Sequence, residues 1–282
     1  MKQSRSFNFK KPHLGISHWS IGIVWLVVAT LPFLFMIFMG FKTPSEQITD
    51  PIWKFPENWQ ISNFSQVLNV IYFQSLANSI IVVVISMFLT VIIASMAAFA
   101  FARLHFKLNS ILFSLIVAGL IVPIHTTLLP IYILTNRLKI YDTLAALIGP
   151  YVAFSIPISI FILTQFMREV PRDLAEAALI DGASTNRIYR SIYFPVSRNA
   201  IVTVGIFNAV TLWNEFVFAY VLTSSPGKRT LPLAIWDFQG QYSSNIPALL
   251  ASLTLSAIPL MLTYFIFQEK LVSGVMAGAV RA

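Results

Sequence analysis

Six apolar runs, each about as long as a helix needs to cross ~30 Å of hydrocarbon, constrain this chain more than anything else in it. They lie at Ile21 to Phe41, Ser79 to Phe101, Ile111 to Leu134, Leu144 to Phe166, Ala200 to Leu222 and Leu249 to Phe267. Inside a bilayer no water satisfies backbone N–H and C=O groups, so a single run that crosses it must be helical. The composition agrees: 57% of the 282 residues are hydrophobic and 11% charged, against about 25% charged in a soluble domain. The sequence therefore predicts an all-α polytopic membrane protein with six transmembrane helices, forming one domain over residues 21–282 behind a polar, basic tail over residues 1–20. The first run is too long, and its flank too poor a cleavage site, for a removed signal peptide.

In the second run Ser86, Thr90, Ala94 and Ala98 recur every four residues, a small-residue face suited to close helix packing. The third carries Pro123 and Pro130 around His125, Thr126 and Thr127. A break there is tolerated only where protein or a watery cavity serves the freed backbone. Lys42 to Ser75 is expected as a loop whose Trp53 and Trp59 suit a membrane interface, and Ser224 to Ser244 as a second loop turning at Ser225-Pro226-Gly227. With the N-terminus inside, cytoplasmic segments carry about thirteen Lys and Arg and outer loops about six, so both termini are expected in the cytoplasm.

Between the fourth and fifth runs lies the largest island of charge, Pro171 to Pro195, with Arg172, Asp173, Glu176, Asp181, Arg187 and Arg190. Pro171 suits a first helical position, and Asp173 and Glu176 place negative charge near that positive helix end. Gly182 offers a left-handed stop, Ser184 can cap a second helix, and Pro195 limits it. Ala175, Ala177 and Ala178 leave the first helix nearly bare, while Ile188 and Ile192 form an apolar stripe on the second. The expected shape is a rigid cytoplasmic knob for docking.

The spacing Glu176-Ala177-Ala178, then Gly182, Ile192 and Pro195 closely resembles the EAA loop of ABC importer permeases, with Asp181 and Ala183 where the carbohydrate branch has them. The segments KTPSEQI, LIGPY, TLWNEF, RTLPLAI and LVSGVMAGAV are similar to the shorter maltose-type permease, which extends the resemblance over most of the chain from Lys42. Phe194 stands where Leu is frequent and Asn199 where a second Pro is frequent. The resemblance implies a bacterial-type inner-membrane subunit whose loop, about residues 167–199, couples to a cytoplasmic ATPase dimer. It further implies a second permease subunit, an extracytoplasmic solute-binding protein and a sugar or oligosaccharide as solute.

Glu215 is the one carboxylate inside an expected span, and an ionised carboxylate at depth costs at least ~2.5 kcal/mol, so it should face the bundle or a wet cavity. Asn208, Thr211 and Glu215 fall on one helical stripe with Trp213 and Asn214 beside them, a candidate lining of the translocation path to which His125 of the third run could add. The alternatives are a carboxylate hydrogen-bonded to a neighbouring helix, a His125 that serves the Pro123 break, and a Trp213 that only packs.

Without cysteine there is no thiolate metal site or Cys nucleophile. The charge of +8 is scattered over short loops, with no basic helix for nucleic acid. Gly227-Lys228-Arg229-Thr230 lacks the pattern of a phosphate loop, so no cofactor is expected in this chain; ATP and Mg belong to the partner ATPase that the resemblance implies. An intramembrane enzyme would need convergent catalytic groups in its spans, and an autonomous ion-coupled carrier several buried charges or inverted repeats. A permease for a non-sugar solute remains the nearer alternative.

Overall fold

The computed structural model describes residues 16–241 and 245–279. Most of the expected tail over residues 1–20 and the last three residues lie outside the described residues. Every regular element described is helical.

Four helices are long and apolar enough to cross a bilayer, within α1 (Ile16–Gly40), α4 (Val70–Arg103), α7 (Ala145–Glu169) and α14 (Ile246–Ala279). Between α1 and α4 the connecting segment forms two short helices, α2 (Pro44–Thr49) and α3 (Ser62–Val67). The third run is a bent pair, α5 (Asn109–Ala118) with a following 3-10 turn, then a second such turn leading into α6 (Leu128–Arg137), the two arms meeting at 94°. The bend falls at Pro123, whereas Pro130 sits in the first turn of α6, where its missing N–H has no helical partner to lose.

The fifth run departs from expectation. It divides into α11 (Arg198–Trp213) and α12 (Val217–Leu222), with Asn214 to Phe216 outside both. At 1.5 Å per residue α11 is only about 24 Å long, short of a bilayer core.

Helix α4 starts nine residues before the apolar run, capped by Asn69, whose side chain accepts from the Tyr72 N–H at 2.9 Å. The polar residues that obscured this start are served by other segments. Tyr72 donates its hydroxyl to the Leu255 carbonyl at 3.1 Å, and Asn78 donates to the carbonyls of Gly227 and Arg229, each at 3.0 Å.

The small-residue face is real: Ser86, Thr90, Ala94 and Ala98 are fully buried, and α4 and α7 form the most extensively packed pair. Close approach recurs where α1 crosses α14, for a Cβ on Gly40 would lie 3.2 Å from the Ala251 backbone. Three core clusters are formed among the described residues. One joins Phe99, Leu163, Met167 and Val204 towards the charged loop, the second joins Val82, Leu147, Tyr151 and Phe218 towards the opposite end, and the third joins Val67, Tyr72, Leu231 and Ala251.

Neither of the two segments expected as loops is a plain loop. Thr43 and Glu46 form a reciprocal capping box on α2, and Glu46 also accepts from the backbone and side chain of Asn58 at 3.0 and 3.2 Å. These bonds, the Thr43 N–H first, hold the Glu46 carboxyl below its ordinary range. Residues 231–241 form α13 (Leu231–Gln241), whose first N–H donates to the Ser79 hydroxyl at 2.8 Å. The expected short tail after Phe267 instead continues α14 to Ala279.

Candidate functional site

The charged island folds as two helices about a corner: α8 (Asp173–Ile180) and α9 (Thr185–Ile188). Asp173 and Glu176 occupy the first turn of α8, which begins two residues after Pro171 rather than on it. Gly182 has φ +77°, the left-handed stop its position required. The Ala183 N–H reaches the Ala178 carbonyl at 2.9 Å and the Gly182 N–H the Leu179 carbonyl at 3.0 Å, the paired bonds of a Schellman C-cap. Ser184 then caps α9, accepting from the Arg187 N–H at 3.4 Å.

Pro195 does not end the second helix. A π-helical turn at Tyr189–Tyr193 carries the chain from α9 into α10 (Phe194–Val196) and on to α11. The Phe194 N–H bonds the Tyr189 carbonyl five residues back, so the register has already widened where proline brings no N–H.

The loop's residues divide between two faces. Glu176, Ala177, Asp181, Gly182 and Pro195 are exposed, beside exposed Leu174 and Ile180, the latter 86% accessible. Ala178, Ala183 and Ile192 are half-buried against the core cluster beneath, and Ile188 is buried in it. The isoleucine stripe and two of the small residues therefore seat the loop on its own bundle rather than facing outward.

Sequence reasoning treated Arg103 only as part of a basic turn. In the structure it ends α4 and donates to carbonyls of Met167, Arg168 and Val170 at the end of α7, with its guanidinium carbon 4.9 Å from the Tyr193 ring centre. Its one sequence signal is four-residue spacing from Phe99 and Ser95 along the same helix face.

The residues proposed for a solute path do not form a single surface. Asn208 is buried and donates to the Ser159 hydroxyl of α7 at 2.8 Å; that hydroxyl in turn donates to the Ser155 carbonyl at 2.7 Å. Glu215 lies in the break before α12: its carboxylate accepts from the Phe218 and Ala219 N–H groups at 2.8 and 3.3 Å and from the Tyr151 hydroxyl at 2.6 Å. Both thus take the interhelical geometry. Trp213 is half-buried and packs against two core clusters. Thr211, Asn214 and His125 are exposed in this chain, and the first two donate to carbonyls of their own helix. Among the described residues no group of three His, Asp or Glu side chains is placed to hold a metal ion.

Residues 90–276 match the family described as binding-protein-dependent transport system inner membrane component. The chain belongs to that family. This permease is 58% identical over 258 residues to the ORF2 protein of Caldicellulosiruptor sp. (strain Rt8B.4), which bears an ABC transporter permease name, covering 92% of this chain and 94% of that one. It is 33% identical to the sulfoquinovosyl glycerol transport system permease protein SmoH of Agrobacterium fabrum, over 92% and 91% of the two chains. The trehalose/maltose transport system permease protein MalG of Thermococcus litoralis is 32% identical, over 92% and 94%. A solved bacterial ABC transporter involved in import of the acidic polysaccharide alginate shares the fold, with a TM-score of 0.71 at 20% identity over 91% of this chain and 95% of that one. The permease is accordingly a multi-pass inner-membrane component of an ABC importer, a transport subunit rather than an enzyme.

Proposed function

We infer that this permease forms half of the translocation path for a sugar or oligosaccharide, and that α8 is its coupling helix. Six crossings with both termini in the cytoplasm complete the layout, the fifth made by α11 and α12 together. A second permease subunit supplies the other half of the path, an ATPase dimer binds the ATP and Mg, and an extracytoplasmic binding protein delivers the solute. The observation that carries the reading is the knob. It is braced by a Schellman cap and seated on the core, yet it presents Leu174, Ala177 and Ile180 beside Glu176 and Asp181 to solvent, a compact apolar and acidic surface for a partner cleft. Ala178, Gly182, Ala183, Ile192 and Pro195 hold that surface in place. The solute class rests on the names of the relatives, two of which transport sugars or sugar derivatives.

The path itself is assigned to the exposed polar groups of the two broken runs, Thr211, Asn214 and His125, with Asn208, Trp213 and Glu215 fixing the backbone behind them. Gly182→Val tests the coupling assignment, because a branched residue at positive φ costs ~1–2 kcal/mol and misaims α9. Purification through the partner permease should recover the membrane subunits without the ATPase, with solute-stimulated hydrolysis and uptake lost together. Normal ATPase recovery and stimulation would sink the assignment. Uptake of a sugar panel by the wild-type complex decides the solute class, and a response to non-sugar solutes alone would replace it.

A further inference from the structure

Arg103 closes a line of contacts that chain connectivity would not suggest. Ser95, Phe99 and Arg103 lie four residues apart on one face of α4, opposite Tyr189 and Tyr193, themselves four apart on the π-helical turn. The Ser95 and Tyr189 hydroxyls are 2.8 Å apart, the Phe99 ring stands 5.4 and 5.1 Å from the two tyrosine rings, and the Arg103 guanidinium lies over Tyr193. The same guanidinium turns to the other end of the loop. Its Nε and Nη2 donate to the Met167 carbonyl at 2.9 and 2.6 Å, and Nη2 reaches the carbonyls of Arg168, at 3.1 Å, and Val170. A helix end leaves its last carbonyls without N–H partners, and here a side chain from another helix supplies them. One planar group with five donors in a fixed fork can serve several carbonyls and an aromatic face together; a lysine ammonium lacks that fork.

We propose that Arg103 is a positioning residue that clamps both ends of the coupling loop, residues 167–170 and Tyr193, to α4, so that displacement of α8 is passed to α4 as well as to the flanking spans. The far end of α4 then has a load. Asn78 holds the Gly227 and Arg229 carbonyls, and Ser79 receives the Leu231 N–H at the start of α13. The continuous helix between Asn78 and Arg103, roughly 38 Å at 1.5 Å per residue, joins the coupling loop to residues 227–231 at the opposite end. The inference rests on the reading of α8 as the coupling helix.

The test uses the assembled transporter in lipid. Arg103→Met should keep the ATPase subunit bound and basal hydrolysis within about twofold, while solute-stimulated hydrolysis and uptake fall about tenfold, the scale on which coupling networks respond. Arg103→Lys, which keeps the charge and some donors, should recover part of that loss. Independently, this cysteine-free chain accepts spin labels through introduced cysteines at His105 and Asn186, beyond α4 and on α9. Their distance should be the same with and without trapped ATP, and should become nucleotide-dependent in Arg103→Met. Unchanged stimulation in Arg103→Met, loss of the ATPase subunit from it, or a nucleotide-dependent distance in the wild-type complex would each overturn the proposal. Failure of the coupling reading is told apart by Gly182→Val, which would then retain the ATPase whatever Arg103 does.

Discussion

The break after Ile121 and the break after Trp213 both interrupt an apolar run, yet the groups that serve them come from different places. At the first, Thr126 donates its hydroxyl to the Pro123 carbonyl at 2.8 Å and Thr127 donates to that of Ile124 at 2.6 Å. Every such partner lies within three residues. At the second, Glu215 holds the start of α12 and is itself held by Tyr151 of α7. The end of α12 is held too: the Asp142 N–H reaches the Leu222 carbonyl at 3.0 Å, and its carboxylate accepts from the Ser224 and Ser225 N–H groups at 2.8 and 2.9 Å. A break whose hydrogen bonds are its own can change its angle without breaking a bond to another segment. A break clamped at both ends by the α7 side of the fold can move only with α7.

The largest effect that would sharpen this contrast belongs to Glu215→Leu. It leaves two N–H groups and the Tyr151 hydroxyl without their acceptor, each worth ~1–3 kcal/mol where water is excluded. The variant should insert, lose uptake, and unfold in detergent with a stability loss of roughly 3 kcal/mol or more by the same accounting. Glu215→Gln, which keeps an acceptor oxygen, should lose less. Wild-type uptake and melting in the leucine variant would remove the clamp from the argument.

Tyr151→Phe comes next, at about 1.5–3 kcal/mol for one hydrogen bond to a carboxylate. Its cycle with Glu215→Gln should show a coupling of at least ~0.5 kcal/mol, the floor for groups in direct contact. Strict additivity in melting would mean that the two side chains act separately. At the other break Thr126→Val should cost about 1 kcal/mol or less, because an exposed hydroxyl serves a carbonyl that already accepts the Thr126 N–H at 3.1 Å. A larger loss than that of Tyr151→Phe would reverse the comparison.

What was legible beforehand follows the same division. Pro123 removes an N–H wherever it sits, and the two threonines that answer it are adjacent in sequence, so that break could be read locally. The corner at Gly182 and the buried face of α4 could be read for the same reason, since each is a spacing within one helix or turn. The break at Asn214 carries no proline or glycine, and nothing near Glu215 announces that its partner is Tyr151, sixty-four residues earlier. Hydropathy alone therefore ran α11 and α12 into one unbroken helix. Arg103 was missed likewise, because its partners lie sixty-four or more residues away in sequence. The extra turns at the start of α4 were hidden by Tyr72 and Asn78, polar residues that lower the local hydropathy yet are satisfied by distant carbonyls.

The smallest expected effect tests whether α12 is held at its far end as well. The Asp142 carboxyl lies below its ordinary range because it accepts from the Ser225 hydroxyl and from the Ser224 and Ser225 N–H groups. A depressed carboxylate contributes stability that is complete above its unfolded pKa, about 3.9, and is lost as the pH falls through the lower folded value. The hold on residues 224–225 should therefore be flat from pH 8 to pH 5 and weaken only below about pH 4. Asp142→Asn should imitate that acid state at neutral pH, with a cost of about 1 kcal/mol at so accessible a site, or roughly fivefold faster amide exchange at Ser224 and Ser225. Exchange compared between variant and wild type at each pH should show a difference that closes as the carboxyl becomes protonated. A difference that widens on acidification, or none at neutral pH, would remove the carboxylate from the hold at the far end of α12, leaving there only the backbone bond from the Asp142 N–H to the Leu222 carbonyl.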